Sequence, residues 1–457
     1  MLKLRDYQVK TIKQVQQSML HGHHRIVVQQ PPRTGKTVIM AEIARRATAK
    51  GNQVMFVIHR HEVLDQAIKA FKQQDVDMSL ATMGMVQSLT RRVNKLPPPA
   101  LIFIDEGHHA LARSYRRIID AFPRAYILYF TATPIRTGHN QLDQISDDIV
   151  VGQSIQWLTK NGFLAPFKYY ALSDIDRSKL RKAHGDYSTN SMDQAISHQI
   201  YGNIVRQYQR LASGKQAVVY CHSVESAKQV VEQFRKAHIT AEEVDGSTPA
   251  KQRDVIVQHF RNQQLTILAN VNLFTEGVDL PNVDCVIMAR PTSSLSLYLQ
   301  FSMRCLNPRK DKTAIIIDHV DNYLTHGLPD DDHDWRKAAT TRDKRKKTGT
   351  DNGPAIYQCK YCFGVFYRKD MHGNRCPLCG HELRSTVQDY KIVNVDLQEI
   401  QHRKSIAHKI MTSNVMANVA GKSPGQLKSL AELQAYAKLH GFKPGWAYYQ
   451  WKNRRKR

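Results

Sequence analysis

The chain has 457 residues, 42% of them hydrophobic, which is ordinary for a globular protein and enough for two core-bearing domains plus smaller modules. Its 66 Lys and Arg stand against 40 Asp and Glu, and a net charge of +26 points to a polyanionic partner, nucleic acid above all. No apolar run approaches the ~20 residues of a membrane helix, and the charged opening MLKLRDYQVKTIKQVQQ has no apolar core of a signal peptide, so a cytoplasmic protein is expected.

LRDYQ (4–8) opens the chain and runs into a helical pattern. A short apolar run, RIVVQ (25–29), then meets QPPRTGKT (30–37) and a segment, 36–50, with apolar residues at helical spacing. Strand, tight loop and helix in that order make a phosphate loop, where backbone N–H groups and the positive helix end cradle an anion. Gly35 allows the turn, Lys36 would reach the β- and γ-phosphates, and Thr37 would hold Mg²⁺. Gln30 stands where the frame GxxxxGK[ST] wants glycine.

Further apolar runs, VMFVI (54–58), LIFID (101–105) and AYILYF (125–130), alternate with helical patterns, which predicts a parallel sheet with helices on both faces. Ligands bind such sheets at the carboxyl ends of the strands. There LIFIDEGHH presents Asp105 for Mg²⁺ and Glu106 to orient or deprotonate the attacking water, and FTATP (130–134) ends the next strand with two hydroxyls.

LRDYQ, GKT, DEGH and TATP, in this order, resemble the first RecA-like domain of a superfamily 2 DEAD/DEAH-box helicase. The resemblance implies that Gln8 reads the adenine edge, that Lys36 and Thr37 bind phosphate and Mg²⁺, that Asp105 ligates Mg²⁺ and that Glu106 is the base. Thr131 and Thr133 would couple hydrolysis to domain movement. His59 and Arg60 in IHRHEVLDQ, and Ser88 and Arg91 in MVQSLTRR, would grip the nucleic-acid backbone.

A second alternating set, AVVYC (217–221), ITAEEV (239–244), LTILAN (265–270), VDCVIMA (283–289) and AIIID (314–318), reads as another α/β domain without its own phosphate loop. By resemblance, VVYCHS carries His222 toward nucleic acid, and Gly277 and Asp279 in TEGVDLP meet the nucleotide. QFSMRCLN sits where the family has QxxGRxxR. Gln300 and Arg304 match, Met303 replaces glycine and Asn307 replaces the second arginine, so Arg304 acts alone across the cleft or Arg309 stands in. Arg33 also departs from a position where glycine is frequent.

Beyond about 326 the composition turns polar and charged, with KRKK at 344–347, and reads as a linker to 353. Cys359, Cys362, Cys376 and Cys379 then form two CxxC knuckles, the spacing of a closed, structural Zn²⁺ site. Four cysteines suffice, although His372 and His381 are nearby donors. Phe363, Phe366 and Tyr367 stack on bases or pack the ribbon. Cys221, Cys285 and Cys305 read as buried thiols. The tail ends in a helical pattern at 428–441 and a basic aromatic stretch, where Trp446, Tyr448, Tyr449 and Trp451 either stack on single-stranded bases or anchor a helix pair.

TEGVDLP, RPTSSLSLYLQ, the ribbon and GFKPGWA together resemble the RadD (YejH-like) helicases. The expected organisation is two tandem RecA-like domains (1–165, which binds ATP, and 166–325), a linker (326–353), a zinc ribbon (354–384) and a mostly helical basic tail (385–457). The expected protein is a DNA helicase or translocase, monomeric, using ATP, Mg²⁺ and Zn²⁺. It would act on single-stranded or branched DNA in recombination, repair or replication, beside other proteins of those processes, in the bacterial cytoplasm or nucleoid or in the host cytoplasm if a mobile element encodes it. Two alternatives stay open: an RNA helicase, or a non-hydrolysing DNA-binding adaptor on a decayed motor.

Overall fold

The computed structural model describes residues 1–59, 61–134, 144–183, 185–196, 200–271, 273, 280–336, 356–371, 373–383, 422–427, 430–440, 442 and 446–454. Arg60, Gly277, Asp279 and the KRKK run lie outside them.

The first half is built on six parallel strands, β1 (Arg25–Gln29), β2 (Val54–Ile58), β3 (Ala81–Met85), β4 (Leu101–Ile104), β5 (Tyr126–Thr131) and β6 (Asp148–Val151), in the order β3-β2-β4-β5-β1-β6. Alternate side chains of a strand leave on opposite faces. Ile26, Val28, Phe56, Ile58, Phe103 and Phe130 pack with Ile39, Met40 and Ile43 of the helix Lys36–Thr48. Val27, Met55, Val57, Ile102 and Tyr129 pack on the other face with Leu89, Tyr115 and Ile118. Covering both faces is why the central strands are uninterrupted apolar runs. The edge strands β3 and β6 bury only Gly84 and Val150 respectively, which is why they carry no such run.

The second half carries β7 (Phe167–Ala171), a small hairpin β8 (Lys182–Ala183) and β9 (Asp186–Tyr187), then β10 (Ala217–Cys221), β11 (Ala241–Val244), β12 (Ile267–Asn270), β13 (Cys285–Ala289), β14 (Ala314–Asp318), β15 (Ile356–Gln358) and β16 (Gly364–Tyr367). All but the small hairpin join one sheet, β11-β12-β10-β13-β14-β7-β16-β15. Strands up to β7 are parallel, and β16 and β15 run antiparallel. The hairpin of the segment expected as a zinc ribbon extends the second sheet. Gly364 and Val365 pair with Tyr170 and Tyr169, and the Ala171 N–H donates to the Phe363 carbonyl at 3.0 Å. The Tyr367 hydroxyl donates to Asp330 Oδ1 at 2.8 Å and binds Asp331 at 2.5 Å. Leu328 is buried, so the stretch expected as linker begins as packed structure.

The two halves meet through Ala165, whose N–H donates to the Leu306 carbonyl at 3.0 Å, and through Tyr7, which packs edge-on against Phe163 in the second core. In a second compact unit, the helices Leu430–Leu439 and Trp446–Arg454 close around Leu427, Leu433 and Ala447. Trp446 stacks on Phe442 at 4.7 Å and on Tyr436 at 5.8 Å, so it anchors this helix pair, whereas Tyr448 and Tyr449 are exposed. No helix among the described residues is long and apolar enough to cross a membrane.

Candidate functional site

Strand β1 leads into the loop expected to be a phosphate loop, and the helix after it begins at Lys36. Gly35 has φ +80°, and a Cβ there would lie 2.6 Å from Gln8 Nε2, so both conformation and space demand glycine. Gln8 and Tyr7 grip the loop from outside: Gln8 Nε2 donates to the Thr34 carbonyl at 3.1 Å, and the Tyr7 hydroxyl donates to the same oxygen at 2.8 Å. Gln8 is thus a buried support of the phosphate loop, with its Oε1 accepting from the Arg5 N–H. Gln30 turns inward and donates to Thr11 Oγ1 at 2.9 Å. A Cβ at Gly152 would sit 2.5 Å from Gln30 Nε2. The glycine missing at 30 is offset by one opposite it.

Strand β4 ends at the second loop. Asp105 is buried, and its Oδ1 accepts from the Glu106 N–H at 3.0 Å. Glu106 holds φ +50°, a left-handed conformation that costs a non-glycine residue ~1–3 kcal/mol, and Arg33 in the phosphate loop holds φ +64°. Gly107 is needed because a Cβ there would meet Tyr129 Cβ at 2.8 Å. Lys36 Nζ lies 3.8 Å from Glu106 Oε1, which brings the loop cation and the acidic pair to one place. Thr131 and Thr133 are buried, the Thr131 hydroxyl donating to the Thr133 carbonyl at 3.0 Å. Gln29 Nε2 donates to the Ala132 carbonyl at 3.0 Å, tying this turn to the strand that carries the phosphate loop. The His59 ring meets His109 at 4.8 Å, a contact that links it to the DEGHH segment.

In the second half, Gln300, Met303 and Arg304 are buried. Tyr220 lies beside Arg304, whose hydrogen bond and charge oppose the rise that burial imposes on the hydroxyl, and stacks on Phe301 at 3.9 Å. Arg309 is paired with Asp284. Asn307 receives a hydrogen bond from Arg33 across the cleft. His222 is buried, with Nε2 2.7 Å from Asp193 Oδ1. Burial holds that ring below the ordinary imidazole value against the pull of Asp193. Ser88 and Arg91 are exposed, one turn apart on the helix Val86–Arg91. Sequence reasoning left the bridging role of Arg33, the tie made by Gln29 and the spacing role of Gly152 unassigned, because each depends on a partner far along the chain.

The sulfurs of Cys359, Cys362, Cys376 and Cys379 lie within 4.8 Å of one another, and Cys359 and Cys379 are 3.8 Å apart. A Zn–S bond of ~2.3 Å in a tetrahedron separates sulfurs by ~3.8 Å, so the donor set fits zinc. The Gly364 N–H donates to Cys362 Sγ at 3.4 Å, and the residue after each second cysteine, Phe363 or Gly380, takes a left-handed φ. Phe366 and Tyr367 are buried and pack the hairpin; they present no stacking face. Burial pushes the Cys221 and Cys305 thiols up to about 12 and raises the Cys285 thiol well above its ordinary value, which suits core residues and not nucleophiles.

The profile of the type III restriction enzyme res subunit matches residues 1–94 and 79–136, and that of the helicase conserved C-terminal domain matches 199–308. The chain belongs to the superfamily 2 helicases. A 51.5 kDa protein of Lactococcus phage (isolate 7-9) is 38% identical over 379 residues, 83% of each chain. IRC3 of Saccharomyces cerevisiae, named for ATP-dependent helicase activity, is 28% identical over 353 residues; they are 69% of this chain and 51% of the yeast protein, so this helicase spans about half its length. A fragment of an HsdR subunit of a type I restriction enzyme from Vibrio vulnificus YJ016 shares the fold, with a TM-score of 0.57 at 22% identity over 71% of this chain and 66% of that one. The protein is a nucleic-acid-dependent ATPase of the helicase and translocase class.

Proposed function

We propose that this helicase is a DNA translocase that hydrolyses ATP where its two RecA-like halves face each other. The observation that carries the reading is the convergence of Lys36, Glu106 and the buried Asp105 at the carboxyl ends of β1 and β4. In this reading Lys36 and the loop N–H groups bind the phosphates, and Thr37 and Asp105 hold Mg²⁺. Mg²⁺ held by these two residues would supply charge neutralisation at the phosphoryl oxygens. Glu106 orients the attacking water and takes its proton, and Arg304 and Gln300 act from the second half. Thr131 and Thr133 relay closure through Gln29. Gly277 and Asp279 would serve the nucleotide, as the sequence resemblance implies.

The +26 charge suits a polyanionic track, with exposed Ser88 and Arg91 as backbone contacts, and His59 and Arg60 as further contacts that the sequence resemblance implies. His222, being buried, would act on the strand through Asp193. DEGH in place of DEAD, the RadD-like ending and the likenesses to restriction-enzyme subunits favour DNA over RNA. Work in recombination, repair or fork processing, in the cytoplasm, follows from the RadD resemblance alone. The four cysteines would hold a structural zinc. Lys36→Ala is the test: hydrolysis should vanish while DNA affinity stays within about twofold, because phosphates and DNA occupy different surfaces. Equal loss of both would contradict the reading.

A further inference from the structure

We propose that Arg33 and Asn307 are a transposed pair: the guanidinium that spans the cleft is carried by the phosphate loop and docks on Asn307, instead of standing at 307 and reaching back. The proposal rests on the ATPase reading of the cleft and assigns Arg33 as a positioning residue for its closure.

Arg33 Nη1 donates to Asn307 Oδ1, and Arg33 Nη2 lies 3.4 Å from the Leu280 carbonyl. Asn307 is itself oriented. Its Nδ2 donates to the Pro281 carbonyl at 3.1 Å and lies 3.5 Å from that of Leu280, which leaves its one acceptor oxygen facing the guanidinium. Asparagine suits this dock because it offers an acceptor and no charge. An arginine at 307 would set two guanidinium groups against each other. Of the neighbouring arginines, Arg309 is paired with Asp284 and Arg304 lies beside Tyr220, and neither is the group that meets Asn307. The charge of Arg33 also reaches the second half, where it opposes the rise that burial imposes on the Cys305 thiol.

Arg33 pays for its place with a left-handed backbone that glycine would adopt freely. A side chain kept there spans the junction between the loop that holds the phosphates and the segment that must close on them. Any shift of the loop is then passed directly to residues 280–307.

The test uses the full-length protein carrying Arg33→Ala, Arg33→Lys, Asn307→Ala, the Arg33→Ala/Asn307→Ala double and the exchange Arg33→Gly/Asn307→Arg, with Arg33→Gly and Lys36→Ala as references. The readouts are kcat and KM for nucleic-acid-stimulated ATP hydrolysis, and the affinity for ADP·aluminium fluoride relative to ADP. Arg33→Ala and Asn307→Ala should each lower kcat by about tenfold or more with little change in KM, and lose a similar factor in the analogue ratio. The double variant should be no worse than either single, because one contact is removed twice. The exchange should recover about tenfold over Arg33→Gly, and a merely structural defect would not be rescued this way. Additive losses, or wild-type kcat and analogue ratio in both Arg33→Ala and Arg33→Lys, would overturn the proposal. Either outcome with Lys36→Ala inactive leaves the ATPase reading standing; an active Lys36→Ala would defeat that reading instead.

Discussion

Removing the metal expected at the four cysteines should release the β15–β16 hairpin from the second sheet. The hairpin buries Val365, Phe366 and Tyr367, each worth ~1.5–3 kcal/mol, or roughly 5–9 kcal/mol in all. A structural zinc contributes ~10–16 kcal/mol to folding, more than that burial, and ordering each hairpin residue costs ~1–2 kcal/mol. Without metal the hairpin has too little core to stay. The Ala171 N–H, bonded to the Phe363 carbonyl at 3.0 Å, reports this locally, because β7 keeps its other neighbour β14. Hydrogen exchange should be read with and without a zinc chelator, and in Cys379→Ser. Protection across 356–371 and at Ala171 should fall by ~10³-fold or more, the equivalent of ~4 kcal/mol, with β1 to β6 unchanged. Unchanged exchange in a verified metal-free protein would refute the reasoning, as would equal loss throughout the second half.

Three smaller perturbations probe the supports of the site. Gly35→Ala places a Cβ against Gln8 at a φ of +80° and should cost ~1–3 kcal/mol in chemical denaturation, with turnover falling in step. Tyr367→Phe removes the donor shared by Asp330 and Asp331, whose carboxyls burial already pushes up, and should cost ~1–3 kcal/mol; a change below ~0.5 kcal/mol would mean the hairpin is held otherwise. Glu42 is held at about 2 by its hydrogen bonds to Arg45, Gln74 and Arg46. A depressed carboxylate stabilises the fold above its ordinary value of 4.5, and that contribution is lost as pH falls from there toward 2. Discounted for solvent screening, ~1–2 kcal/mol should disappear over that window, and Glu42→Gln should flatten the profile.

The central strands and the meeting of the GKT and DEGH loops were legible because burial on both faces writes itself into the sequence as an apolar run, and because both loops follow such runs at the same end of the sheet. RIVVQ and AVVYC are strands with the bounds their patterns predict. β7 was not legible: FKYYA has neither a full apolar run nor clean alternation, yet lies inside the sheet between β14 and β16. The knuckle spacing predicted the cysteine cluster, but nothing local told the hairpin where to dock, since edge pairing depends on a partner nearly 200 residues away. The departures at 30 and 307 look like losses when read singly. Each gains a counterpart in the fold, Gly152 for Gln30 and Arg33 for Asn307, and neither pairing can be read from a motif.

The most direct test is steady-state ATP hydrolysis by the full-length protein with no nucleic acid, single-stranded DNA, duplex DNA or single-stranded RNA, at low and high salt. A DNA translocase should show turnover raised at least tenfold by one of the DNA forms, weakly or not at all by RNA, with the required DNA concentration rising with salt. Stimulation by RNA alone, or salt-sensitive DNA binding without turnover, would contradict it.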